Sequence, residues 1–407
     1  MRKLFALCFL FWAATAIAAT PEAINRLAGI KLFGKGDLWR ETPDAVGKRM
    51  RLQFRPDGGG DSSVFMAPTG GKLLFDCPSS EVRVFSTGGT VSRIDLVLFN
   101  KGDNAIGVNP GNKKSRFKRN AFRKELDRCH DRLEKMLYSG LGRNRKAFFG
   151  TGKLCRQLPV WDVENAALVL DYSTSEFLMV HIVPPDTLDE HRRRVSTEQR
   201  VGDLEEYAAN VVRKDNGDVY IDRVPMVEQG AKGYCVPATV ERLARYFGVT
   251  GIDMHQLAEN FRTTGGGGTS IDGAVRGTRR LLGEYGLRMK ETTKLRAPTL
   301  VRNIDKGIPV LWFHYSTKAF QSLINESIAG REKGSFDEWL TGLRQRKKLK
   351  KGTTGAHVAL IIGYNQQSGE FAVSNSWGSK FQLAWVRFSD LEQVDSHLHL
   401  YVVTPRR

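Results

Sequence analysis

The chain has 407 residues, 41% of them apolar and 26% charged, and a formal charge of +18 from 62 Lys and Arg against 44 Asp and Glu. This is globular composition, which excludes collagen-like, coiled-coil and wholly disordered chains, and the length allows two domains or one large domain with an appendage. The charge excess bears on solubility and on association with anions, and not on fold.

The first element in chain order is a leader. Arg2 and Lys3 precede an uncharged run from Leu4 to Ala19 that closes on Ala16-Ile17-Ala18. That three-part layout predicts a signal peptide over residues 1–18, because the run is shorter than the roughly 20 residues that span a bilayer. The expected location is therefore outside the cytoplasm: periplasm, cell surface or medium. Cys8 leaves with the leader, and Cys77, Cys129, Cys155 and Cys235 remain. An exported chain can keep disulfides, with Cys129 joined to Cys155, or either joined to Cys77; two bridges are also arithmetically open.

Residues 20–185 read as a small, β-rich α+β accessory domain. Short apolar stretches at Arg51–Phe54, Lys72–Phe75, Glu81–Phe85 and Ile94–Leu98 alternate with Gly-rich turns, the pattern of antiparallel strands. Between Lys113 and Arg156 the composition changes to 15 Lys and Arg against four acids, with a helix expected over Ala121–Tyr138. Strands are expected at Ala166–Tyr172 and Phe177–Val183, closed by Pro184-Pro185. A charge run is ordinarily a solvated face. The interleaved Phe117, Phe122, Phe148 and Phe149 also suit an anionic cell-envelope polymer held by charge and stacking, although such phenylalanines are more often core. Export removes nucleic acid as the expected partner. Residues 186–221 are charged and read as a helical connector.

The stretch from Val224 to Thr239 carries the chemistry. Gln229 stands six residues before Cys235, and after Cys235 the apolar positions Val236, Val240, Leu243, Ala244 and Phe247 fall on one helical face. Pro237 is tolerated in a first turn and Gly248 stops the helix, so Cys235 is expected at a helix N-terminus, where unpaired amides and the macrodipole favour thiolate. Alone, this is also how a small buried cysteine opens a core helix. Further on, Ala356-His357-Val358-Ala359-Leu360-Ile361-Ile362-Gly363-Tyr364 and Phe371-Ala372-Val373-Ser374-Asn375 read as two strands of a hairpin turned at Ser368-Gly369. Antiparallel pairing returns Asn375 toward His357, where its amide oxygen can fix the imidazole tautomer.

These residues resemble the papain-like cysteine peptidases, and within them the bacterial C39-like (bacteriocin-processing) and staphopain types. The likeness rests on Gln229, Cys235, His357 and Asn375 in that order and on Asn375-Ser376-Trp377-Gly378. It covers residues 222–407 and implies a helical part followed by an antiparallel sheet. It also implies Cys235 as nucleophile, His357 as general base and acid, Asn375 as orienting residue, Gln229 with the Cys235 amide as oxyanion hole, and Trp377 as a shield over the His–Asn bond. Val236-Pro237 after the nucleophile departs from the Cys-Gly or Cys-Trp contexts common in the wider family.

The implied activity is that of an exported thiol peptidase acting on peptides or proteins. Two alternatives use the same residues: a catalytically silent domain that binds an anionic surface, and a transamidase or amidase. His314, after the apolar run Ile308–Phe313, is a rival base that lacks an Asn-Ser-Trp partner in register. Gly265–Gly268 with Thr269 and Ser270 reads as a cleft-edge loop capping a helix, since no Lys-Ser/Thr follows to make a phosphate loop. The run from Arg344 to Lys351 reads as a solvated loop or a basic cleft wall. No Cys and His spacing suggests a metal, so no cofactor is expected.

Overall fold

The computed structural model describes residues 19–58, 62–104, 113–189, 201–249, 251–264, 268–292 and 294–406. The leader at 1–18, residues 190–200 of the expected connector and Gly265–Gly267 lie outside the described residues.

The chain is a mixed α and β structure organised on two antiparallel sheets. It begins with α1 (Pro21–Ala28) and α2 (Pro43–Met50), each opened by a Thr cap and a Pro in its first turn. β1 (Arg55–Pro56) and β2 (Ser62–Pro68) precede a small ribbon of β3 (Leu73–Leu74) and β4 (Cys77–Pro78), then β5 (Glu81–Thr87) and β6 (Thr90–Asn100). After α3 (Lys101–Asn104) and α4 (Lys113–Leu141) come β7 (Arg145–Phe149), β8 (Arg156–Val163), β9 (Ala166–Tyr172) and β10 (Phe177–Val183). The N-terminal sheet has the order β1-β2-β5-β6-β10-β9-β8-β7. Phe122, Leu126, Cys129, Leu133 and Leu137 form one stripe of α4 and are buried in a cluster with Val84, Ile94 and Leu96 of the sheet.

Three sequence expectations change here. Arg51–Phe54 is not a strand: Arg51 adopts a left-handed cap (φ 55°) that ends α2, and pairing begins only at Arg55. The helix expected over 121–138 spans Lys113–Leu141. Phe122 is buried and stacked on Phe99 at 5.4 Å, and Phe149 is buried against His181, so neither is available to stack on a polymer.

The second sheet begins earlier than expected. After α5 (Leu204–Ala208), β11 (Val211–Arg213) and β12 (Asp218–Ile221) are strands, and not a helical connector. Val211, Val219 and Ile221 find an apolar cluster to join, and Asp218–Tyr220 pair with the end of the strand that carries His357. The chain continues through α6 (Cys235–Tyr246), α7 (Met254–Asn260), α8 (Ile271–Glu284), β13 (Leu287–Thr292), α9 (Ala297–Ile304), β14 (Val310–Tyr315), α10 (Lys318–Gly330) and α11 (Phe336–Gln345). It closes with β15 (Ala356–Asn365), β16 (Glu370–Ser374), β17 (Ala384–Arg387), α12 (Phe388–Val394) and β18 (Asp395–Pro405). The order is β11-β12-β15-β14-β18-β13, with β16 and β17 continuing from the other edge of β15. Gly363 allows this crowding: a Cβ there would lie 2.8 Å from Val219 O and Tyr220 Cβ and 2.9 Å from Ala372 Cβ. Only a residue without a side chain lets β12 and β16 approach β15 at the same position.

Candidate active site

Cys235 is the first residue of α6, which has no side-chain N-cap, so the amides of that turn face the sulfur. The helix is docked by its own side chains. Thr239 Oγ1 donates to Val358 O at 3.3 Å, which seats the first turn on the start of β15, beside His357. Two turns into α6, the buried Arg242 donates to Pro225 O at 2.8 Å and to Ser374 O at 3.2 Å. One guanidinium thereby fixes the segment leading into Gln229 and the strand end leading into Asn375.

The hairpin of β15 and β16 does what its register requires. Leu360 pairs with Ser374, and His357 Nε2 donates to Asn375 Oδ1 at 3.1 Å. This bond assigns the proton to Nε2 and leaves Nδ1 with its lone pair for the cysteine. The Trp377 ring lies over the imidazole at 4.7 Å and is itself held edge-on by Phe381 at 5.5 Å. His357 and Asn375 are buried, so their hydrogen bond works outside bulk water.

Gln229 is held twice by one neighbour of the hairpin. Its N–H donates to Ser376 O at 2.9 Å, and its Oε1 accepts from Ser376 Oγ at 2.6 Å. With the amide oxygen occupied, the Nε2 group is the end left to donate, as an oxyanion-hole residue requires. Ser376 and Arg242 were not singled out from sequence. Ser376 sits between Asn375 and Trp377, and a side chain's service to a residue 147 positions away leaves no local pattern.

The electrostatics differ from the sequence expectation. Burial pushes the Cys235 thiol up, while the backbone N–H groups of Val358, Val236 and Cys235 pull the other way. Burial pulls His357 down to about 4, opposed by its bond to Asn375. The resting pair is therefore thiol and neutral imidazole: the amides at the helix N-terminus are present, but desolvation outweighs them.

His314 faces His357 directly across β14 and β15, with ring centroids 5.3 Å apart and planes at 80°. It is buried, stacks on Trp312 at 4.1 Å, and among the described residues neither ring nitrogen has a side-chain hydrogen-bond partner. Burial and the neighbouring His357 hold it well below the ordinary histidine range. With no side-chain amide or carboxylate bonded to its ring among the described residues, His314 lacks what Asn375 supplies to His357. Elsewhere, Ser270 caps α8 as expected, beside an open depression of about 650 Å³ lined in part by Arg262, Arg276 and Arg280. Among the described residues no group of three or more His, Cys, Asp or Glu is placed to hold a metal.

Residues 221–394 match the family model described as the Peptidase_C39 like family. This segment is similar to the C39-like peptidases of the papain-like group. The match covers under half of the chain and contains Gln229, Cys235, His357 and Asn375. Among solved structures, a candidate C39-like peptidase from Bacillus anthracis is 13% identical, with 46% of this chain and 98% of that chain covered and a TM-score of 0.32, too low to carry any inference. No curated protein matches the chain. The match begins at residue 221, the end of β12, so β11 and most of β12 add to the same sheet on the N-terminal side of the matched segment.

Proposed function

We propose that the protein is an exported thiol peptidase that hydrolyses peptide bonds through Cys235, His357 and Asn375, with Gln229 in the oxyanion hole. The observation that carries this reading is the pair of oriented groups around one helix N-terminus. Asn375 sets the His357 tautomer at 3.1 Å, and Ser376 sets the Gln229 amide at 2.6 Å. In the resting site Cys235 is a thiol. As its sulfur attacks the substrate carbonyl, the proton passes to His357 Nδ1, and the oxyanion is met by Gln229 Nε2 and the Cys235 amide. The imidazolium, stabilised by Asn375 Oδ1, protonates the leaving amine. His357 then takes a proton from water, which hydrolyses the thioester and restores the thiol.

The N-terminal sheet with its helices is the proposed accessory domain. Its α4 carries an exposed row of Lys118, Arg119, Arg123, Lys124, Arg128, Arg132 and Lys135, which supports docking on an anionic envelope polymer by charge. Export itself is proposed from the leader sequence.

The test is hydrolysis of a mixed peptide library by wild type and Cys235→Ala. Cleavage by wild type alone supports the reading. Amine incorporation in place of hydrolysis selects the transamidase alternative. If wild type neither cleaves any peptide of the library nor incorporates amine, the enzyme reading fails and the silent binding domain stands.

A further inference from the structure

The five residues between Gln229 and Cys235 are not held by the peptidase domain alone. Lys232 is buried, and its Nζ lies 3.3 Å from Glu81 Oε2 and 3.3 Å from Asp103 Oδ2, carboxylates of β5 and α3. Tyr234, the residue before the nucleophile, is fully buried; its hydroxyl donates to Glu176 Oε1 at 2.5 Å and accepts from Gly102 N at 3.0 Å. Glu176, in the turn between β9 and β10, is paired in turn with Lys101. At the other end of the loop, Met226 N donates to Asp57 O at 2.7 Å, next to β1. The approach is close: a Cβ on Gly102 would lie 2.6 Å from Lys232 Cβ and 2.8 Å from Tyr234 Cζ. A buried ion pair of Arg83 with Asp253 continues the seam between the two halves.

We propose that the N-terminal sheet is part of the catalytic device, its Glu81, Asp103, Glu176 and Gly102 fixing Lys232 and Tyr234 so that the oxyanion donor and the nucleophile keep a set separation. The proposal rests on the peptidase reading above. Lys232 and Tyr234 are positioning residues; they touch no reacting atom. A five-residue segment with glycines at 230 and 233 has many conformations of its own, and it is the anchors from the other half that remove them. The accessory half is on this view an obligate support, the opposite of an inhibitory prodomain, and its loss would remove both carboxylates that hold Lys232.

The experiment uses the whole chain with Tyr234→Phe, which keeps the ring and deletes both hydroxyl hydrogen bonds, and with Asp103→Asn, a milder change at the rim of the pair, should the first not fold. Peptide hydrolysis and amide hydrogen exchange are read on each. The expected result for Tyr234→Phe is a fall in kcat of about 10-fold with KM within about twofold, and faster exchange confined to residues 226–235. Asp103→Asn should show the same split with a smaller fall. Unchanged kcat, a loss residing in KM, or unchanged exchange in the loop overturns the proposal. If wild type hydrolyses nothing, the peptidase reading fails separately, and the exchange result alone decides whether the N-terminal half holds the loop.

A separate observation in the N-terminal half carries a second inference. Cys77 of β4 and Cys129 of α4 are buried in one cluster, and Cys77 Sγ donates to Cys129 O at 3.6 Å, which sets the two side chains beside each other. We infer that Cys77 and Cys129 are the disulfide pair of the chain, oxidised by thiol–disulfide exchange with a small-molecule disulfide such as oxidised glutathione. One cysteine thiolate attacks the glutathione disulfide and releases one glutathione thiolate. The second cysteine then displaces the other, so that two protons and two electrons leave the pair and two glutathione thiols form. The test is refolding in a glutathione redox buffer, trapping with N-ethylmaleimide and peptide mapping. A linked peptide joining Cys77 to Cys129, with Cys155 and Cys235 alkylated, is expected. A link through Cys155, or full alkylation of Cys77 and Cys129, overturns it.

Discussion

Ser376→Ala is the most informative substitution at the proposed oxyanion hole. The variant removes the hydroxyl that binds Gln229 Oε1 at 2.6 Å and leaves the Ser376 carbonyl, which accepts from Gln229 N at 2.9 Å, in place. The Gln229 backbone therefore stays where it is, and only the rotation of its amide is released. A hydrogen bond of this kind is worth about 1 kcal/mol net, so kcat should fall about fivefold with KM nearly unchanged. Gln229→Ala removes the donor itself and should cost about 100- to 1000-fold. If Ser376 acts through Gln229, adding Ser376→Ala to the Gln229→Ala background should cost almost nothing more, a coupling that a double-mutant cycle of kcat on a single peptide substrate measures. A fivefold loss that persists in the Gln229→Ala background would refute the reasoning, because Ser376 would then act elsewhere. An unaffected single variant would equally refute it.

Other expectations follow from the same geometry. His357 is held at about 4, so kcat/KM should rise through an acid limb near pH 4 and not near the ordinary 6.5; a limb above pH 6 would contradict the burial account. The sign for stability is that of a depressed pKa: the contribution of neutral His357 is present above pH 6.5 and lost as pH falls toward 4, by up to about 3 kcal/mol, readable as the difference in urea stability between wild type and His357→Phe. His314→Phe should keep hydrolysis within about threefold of wild type and leave Tm at or above it, because the ring nitrogens it deletes have no side-chain hydrogen-bond partner among the described residues; abolished activity would make His314 a participant. Gly363→Ala should destabilise by about 1–3 kcal/mol in urea unfolding, since the new methyl meets Val219 O at 2.8 Å.

Much of the site was legible because its signals are local. The apolar face after Cys235, Pro237 in the first turn and Gly248 beyond the end all concern one helix, and α6 starts at Cys235 as they require. The hairpin of β15 and β16 follows from two apolar runs around Ser368-Gly369, and the return of Asn375 to His357 follows from pairing geometry. Where a signal was local but ambiguous, the reading failed. Arg51–Phe54 has the composition of a strand, yet the end of α2 draws Arg51 into a left-handed cap. Residues 211–221 are charged enough to resemble a solvated connector, but a vacant edge of β15 recruits them as strands.

The sequence by itself determined where the candidate residues stand on their helix and hairpin and in what order they come, because periodicity, caps and turns act over a few residues. The tertiary structure alone decided what surrounds them. That Arg242 joins Pro225 to Ser374, that Ser376 orients Gln229, and that Glu176 and Glu81 reach Tyr234 and Lys232 are contacts across 17 to 151 positions, and side chains that meet over such separations leave no pattern along the chain. The protonation state of the cysteine belongs to the same class. A helix N-terminus can be read from residues, but desolvation is a property of everything packed around the sulfur, and here it is the larger effect.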